Sequence, residues 1–143
     1  MLKVMKKEIL TALVCLIASG AWAQKDSTDF KCRIYNKEYD VYMNINFYDN
    51  NVKVPGQELF GEMPGYFGDN KDSRKWLITD AEIKGKTANL SIINDYGSED
   101  LTAELTITSD GTYVLKQQKG SSMKIARNRK WTKIPKSLEF VRR

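Results

Sequence analysis

Histidine is absent from this 143-residue chain. Its absence excludes Ser-His and Cys-His nucleophile pairs and zinc sites of the usual His/Cys kind. Cysteine is nearly absent too: Cys15 and Cys32 are the two in the chain. No convincing helical period longer than two turns follows residue 24. A glycine-rich phosphate loop opening a helix is therefore excluded as well. These absences lead us to expect no catalytic residue, no metal site and no bound cofactor.

What is present begins with a leader. Lys3, Lys6 and Lys7 precede an apolar run from Ile9 to Ala18 that only Thr11 interrupts. Gly20 and the small-x-small triplet Ala21-Trp22-Ala23 follow. This is the pattern of a secretory signal peptide over 1–23, and the run is too short to span a membrane. A lipoprotein signal ending at Cys15 is the rival reading, but Val14 is too large for the position before the cysteine. The expected product starts near Gln24, has a disordered lead-in over 24–29 and forms one domain over 30–143. It would be exported, to the periplasm or the outside of the cell. It keeps Cys32 alone, so it forms no internal disulfide, which is ordinary for a bacterial exported protein. Cys32 alternates with Phe30 and Ile34 and is expected to be a small buried apolar residue.

Without the leader's three lysines and Glu8, 20 basic and 17 acidic residues remain, a net of +3. That balance does not suggest nucleic-acid binding. The charge is unevenly placed. Lys124 to Arg143 holds eight basic residues and Glu139, so the preceding hundred residues are net acidic. Such a stretch marks either an anionic partner or a face that complements acidic neighbours in the fold.

Period-two alternation runs through the rest. Tyr39, Val41, Met43, Ile45 and Phe47 fall on one face of a strand over 38–48. Ala88, Leu90 and Ile92 do the same over 87–94, and Leu101, Ala103, Leu105 and Ile107 over 100–108. Further strands are expected over 30–35, through Val52 and Val54, over 75–83 and from Lys136 to Phe140. Asn36-Lys37, Lys84-Gly85-Lys86, Ser109-Asp110-Gly111 and Lys119-Gly120-Ser121 punctuate them at hairpin spacing. Pro135 marks an edge or a loop. Eight or nine strands in an antiparallel meander predict a small all-β barrel, with a β-sandwich as the alternative.

The segment from Pro55 to Lys75 breaks the rhythm. Gly56, Gly61, Pro64, Gly65 and Gly68 interleave with Phe60, Tyr66 and Phe67. Long irregular loops in compact domains are often functional. We expect Phe60, Tyr66 and Phe67, with Arg74 and Lys75, to form a contact patch for a macromolecule, protein or glycan. In the competing expectation these rings turn inward and cap the barrel.

Other groups carry less. Glu58, Glu62, Asp80 and Glu82 could supply a glycosidase carboxylate pair, but nothing in their spacing selects two. Asn94 to Asp100 offers oxygens, yet its Asn, Asp, Gly and Ser are what a hairpin turn needs for itself. Asn89-Leu90-Ser91 fits a glycosylation pattern in mid-strand, where chance accounts for it.

Two groups of residues carry a resemblance. Phe30-Lys31-Cys32 opens the first strand, and Trp76 is followed by the hairpin Lys84-Gly85-Lys86-Thr87-Ala88-Asn89-Leu90. Together they resemble the bacterial periplasmic inhibitors of c-type lysozyme, which are small exported β-barrels. The family's Ser-Gly inhibitory loop and the partner of Cys32 have no counterpart. Lipocalin-like exported barrels are an equally close relation, without their usual Gly-x-Trp opening. The resemblance implies an exported small barrel. The missing histidine and nucleophile pair point to binding rather than catalysis, by a monomeric inhibitor or adaptor that docks through the 56–75 loop; the alternative is a carrier of a small apolar ligand.

Overall fold

The computed structural model describes residues 28–143; the leader and most of the lead-in lie outside the described residues. Among the described residues twelve strands form, in the order β1 (Lys31–Asn36), β2 (Val41–Asn46), β3 (Val52–Lys53), β4 (Glu62–Met63), β5 (Gly65–Asp69), β6 (Asp72–Lys84), β7 (Thr87–Asn94), β8 (Asp100–Ile107), β9 (Tyr113–Gly120), β10 (Lys124–Arg127), β11 (Lys130–Lys133) and β12 (Ser137–Arg142). Eight of them close an antiparallel barrel in the order β1-β12-β9-β8-β7-β6-β5-β2. The expected all-β barrel is thus observed, as a meander with two excursions. The pair β3–β4 leaves between β2 and β5, and the pair β10–β11 leaves between β9 and β12.

Alternation dictates the wall. Met43 pairs with Phe67, Phe67 with Trp76, and Ile78 with Ile92, so their side chains share the inner face. Met43, Phe67, Leu105, Leu115 and Phe140 are fully buried there, and the interior is filled by side chains. Cys32 is half-buried and packs against this core. Its thiol lies 3.4 Å from the Tyr113 hydroxyl. At the barrel end holding the β6–β7 and β8–β9 turns, Phe30 stacks on Phe47 at 5.5 Å. At the other end Met123, Ile125 and Ile134, borne by or flanking β10–β11, plug the opening. We call this hairpin the lid.

The segment from 56 to 75 is not one irregular loop. Its second half is barrel wall: β5 and the start of β6. Gly65 and Gly68 look like loop residues but serve packing. A Cβ on Gly65 would lie 2.4 Å from the Asn44 carbonyl oxygen, and one on Gly68 would lie 2.4 Å from the Tyr42 ring. The first half forms the β3–β4 flap with a one-turn 3-10 helix at Glu58–Phe60. The flap lies over the outside of the wall, where Val54 and Met63 cover Tyr66 and Leu77.

Candidate functional site

The expected patch is not assembled. Phe67 is 1% exposed inside the barrel, because strand alternation turns it inward. Tyr66 is 4% exposed on the outer side, sealed under the flap. Its hydroxyl accepts from Asn44 Nδ2 at 2.8 Å, and Tyr42 meets its ring edge-on at 5.9 Å. Phe60 is 42% exposed but sits on the flap beside fully exposed Leu59. Arg74 and Lys75 lie elsewhere, at the lid end. Neither Tyr66 nor Phe67 can act as an exposed anchor.

The lid end carries a different site. A cleft of about 220 Å³ opens between the start of β6, the β7–β8 turn and the lid. Three of the five expected residues line it: Phe67 on the floor, with Arg74 and Lys75. The rim is made by two aromatic residues that sequence reasoning missed. Tyr96, in the β7–β8 turn, is 77% exposed, and Trp131, on β11, is 59% exposed. The signal available for them was an aromatic side chain inside an otherwise polar turn and an otherwise basic strand.

Each wall is built by local bonding. Asn94, buried at the end of β7, closes the turn: its Oδ1 accepts from the Ser98 and Glu99 amides at 2.9 and 3.2 Å, and its Nδ2 donates to Ser98 Oγ at 3.0 Å. The turn reading of Asn94 to Asp100 therefore holds. The Lys75 amide donates to Asp95 Oδ2 at 3.1 Å, and Lys75 Nζ donates to the Ser73 carbonyl at 2.7 Å. Arg74 pairs with Asp72 at 2.9 Å and lies 4.8 Å over the Trp131 ring. Hydrogen bonding to Asp72, and then to Tyr96, raises its pKa.

The lid is latched over this end. Arg127 grips Asp69 with both guanidinium nitrogens, at 2.6 and 2.9 Å, and donates to the Tyr39 carbonyl at 2.6 Å. That bond to Asp69 raises the Arg127 pKa. Lys124 pairs with Glu99 at 2.9 Å, and its carbonyl accepts from Trp76 Nε1 at 3.1 Å. The cleft walls thus contain Asp69, Asp72, Asp95 and Glu99 against Arg74, Lys75 and Lys124, a mixed polar lining over an aromatic floor.

Among the described residues no cluster of three or more Cys, Asp or Glu side chains could hold a metal ion. None of the described helices is long and apolar enough to cross a membrane. Comparison with protein-family models, with curated proteins and with solved structures finds no match to this chain.

Proposed function

We propose that this is an exported bacterial protein that acts by binding, and that it docks a macromolecule at the lid end through the cleft lined by Tyr96 and Trp131. One observation carries the reading: two large, exposed aromatic side chains line one polar cleft. Exposed aromatics beside convergent polar groups are what binding hot spots are made of. The leader supports export. The filled barrel favours docking at the surface over carriage of an apolar ligand inside. The cleft's carboxylates are each held by a cation or an amide, which favours binding over glycosidic chemistry.

This moves the docking surface from the 56–75 segment to its far end, where Arg74 and Lys75 meet the lid. Of the residues behind the resemblance to lysozyme inhibitors, Trp76 lines the cleft, and the others lie apart from it. Phe30-Lys31-Cys32 lies at the start of β1, and the Lys84–Leu90 hairpin turns at the barrel end away from the cleft.

Affinity capture from the extracellular fluid of the source bacterium tests the reading. Wild-type bait is expected to retain a partner that the Tyr96→Ala/Trp131→Ala double variant loses, with the fold intact by circular dichroism. Equal capture by both baits would sink the proposal.

A further inference from the structure

The fold sorts the eight basic residues between Lys124 and Arg143 into two sets. Lys124 and Arg127 are paired with Glu99 and Asp69. Arg142 bonds the Tyr113 hydroxyl and the Thr28 carbonyl, and Arg143 lies over the Tyr35 ring. Arg129, Lys130, Lys133 and Lys136 are exposed, and no carboxylate among the described residues lies within ion-pair distance of them. All four belong to the lid or the short segment after it. The surplus positive charge of the chain is therefore gathered at the end that bears the cleft, around exposed Trp131.

Lysines on an edge strand also discourage edge-to-edge pairing. That accounts for Lys130 and Lys133 taken alone. It does not account for an exposed tryptophan between them. Nor does it account for Arg129, which holds a left-handed backbone at φ 63° beside Asn128 at φ 53°. A turn of this kind favours glycine at its second central position, and an arginine there keeps a cation at the tip against that preference.

The ligand's chemistry follows from where the charges lie. Arg74, Lys124 and Arg127 are already paired with Asp72, Glu99 and Asp69, and Lys75 Nζ donates to the Ser73 carbonyl, so the cleft holds no uncommitted cation for a bare carboxylate. A polyhydroxylated ring offers donors and acceptors together and suits such a wall, and its C–H face suits the rings of Tyr96 and Trp131. The cleft is below the range of about 300–1,000 Å³ that encloses drug-sized ligands, in keeping with a single ring. The free cations lie outside it, so the acidic groups belong on the units that flank the one inside.

We infer that the ligand is an acidic polysaccharide. One sugar packs on the exposed sides of Tyr96 and Trp131, which Arg74 bridges, and carboxylates or sulfates on its neighbours are held by Arg129, Lys130, Lys133 and Lys136. The inference rests on the cleft being the docking surface.

Calorimetric titration of the intact protein at low salt tests it with four polymers: polygalacturonate, dextran sulfate, uncharged dextran and polyglutamate. At least one of the two acidic polysaccharides is expected to bind, and which one distinguishes carboxylate from sulfate recognition. Trp131→Ala should weaken binding about tenfold or more, the scale of a hot-spot truncation. Lys130→Gln/Lys133→Gln should weaken it too and flatten its salt dependence. Failure of both acidic polysaccharides overturns the inference. Polyglutamate binding equally well overturns it by showing charge alone at work, and dextran binding equally well does so by showing that acid groups are not read. If the acidic polymers fail while partner capture still depends on Tyr96 and Trp131, this inference falls and the docking surface stands.

Discussion

Phe67 and Tyr66 are adjacent in sequence and serve two different cores. Phe67 meets Phe140 edge-on at 6.4 Å inside the barrel, while Tyr66 joins the flap cluster outside it. Phe67→Ala should therefore destabilise by about 3–5 kcal/mol and Tyr66→Ala by about 3 kcal/mol. Phe60→Ala and Trp131→Ala, at exposed sites, should change stability by less than about 1 kcal/mol. Thermal melts of the four variants check this ordering. Two tyrosines add a pH signature. Burial first, then the Tyr66 hydroxyl, pushes the Tyr42 pKa up to about 12. Burial first, then the Cys32 thiol, does the same to Tyr113. An unperturbed tyrosine titrates at about pH 10. Folded protein thus holds these protons more tightly than unfolded chain, and the stability they contribute is full below pH 10 and lost as pH rises towards about 12. Phenolate absorbance should show two hydroxyls titrating late in folded protein, and one in Tyr42→Phe. The sequence left the burial of Phe67 and Tyr66 open between a contact patch and inward-turned rings, because glycines beside aromatics look the same in a loop as in a tightly packed strand.

At the scale of elements, strands whose alternation was unbroken were legible almost to the residue. The expected 87–94 and 100–108 correspond to Thr87–Asn94 and Asp100–Ile107. β5 was missed because two of its five residues are glycine. The physical reason for them lies across the sheet, which a local pattern does not carry. Gly65→Ala should cost more than Gly68→Ala, within the overpacking range of about 1–3 kcal/mol. The first Cβ meets backbone that cannot turn aside, and the second meets the ring of Tyr42. Chemical denaturation of the two variants checks the order. The lid was missed as well. Its turn is Asn128-Arg129 with no glycine, and its outer strand, β11, is exposed at every residue and shows no hydrophobic alternation. Arg127 fastens it. Arg127→Ala leaves the Asp69 carboxylate buried and unpaired, which should cost about 3–5 kcal/mol. Amide exchange across β10 and β11 should rise more than across β7 and β8. Uniform acceleration would show that the lid is not a separately latched unit.

Seen whole, the molecule is a filled barrel with attachments of two kinds. The flap covers apolar wall, and its exposed large apolar residues, Leu59 and Phe60, stand apart from the cleft. The lid closes one end, frames the cleft and concentrates unpaired positive charge there. The barrel was legible because period-two alternation and turn spacing are properties of the chain itself. The cleft was legible in part: Arg74 and Lys75 stood out next to an unusual segment. Tyr96 and Trp131 lie 35 residues apart in sequence numbering and meet only through the closure of the fold. The central claim is that the lid end, rather than the flap, is the docking surface. Hydrogen–deuterium exchange with and without the captured partner tests it most directly. The account predicts protection over Asp72–Lys75, over the β7–β8 turn at 94–99 and over the lid at 124–133. Protection confined to the flap, from Val52 to Met63, with the lid unchanged, would contradict it.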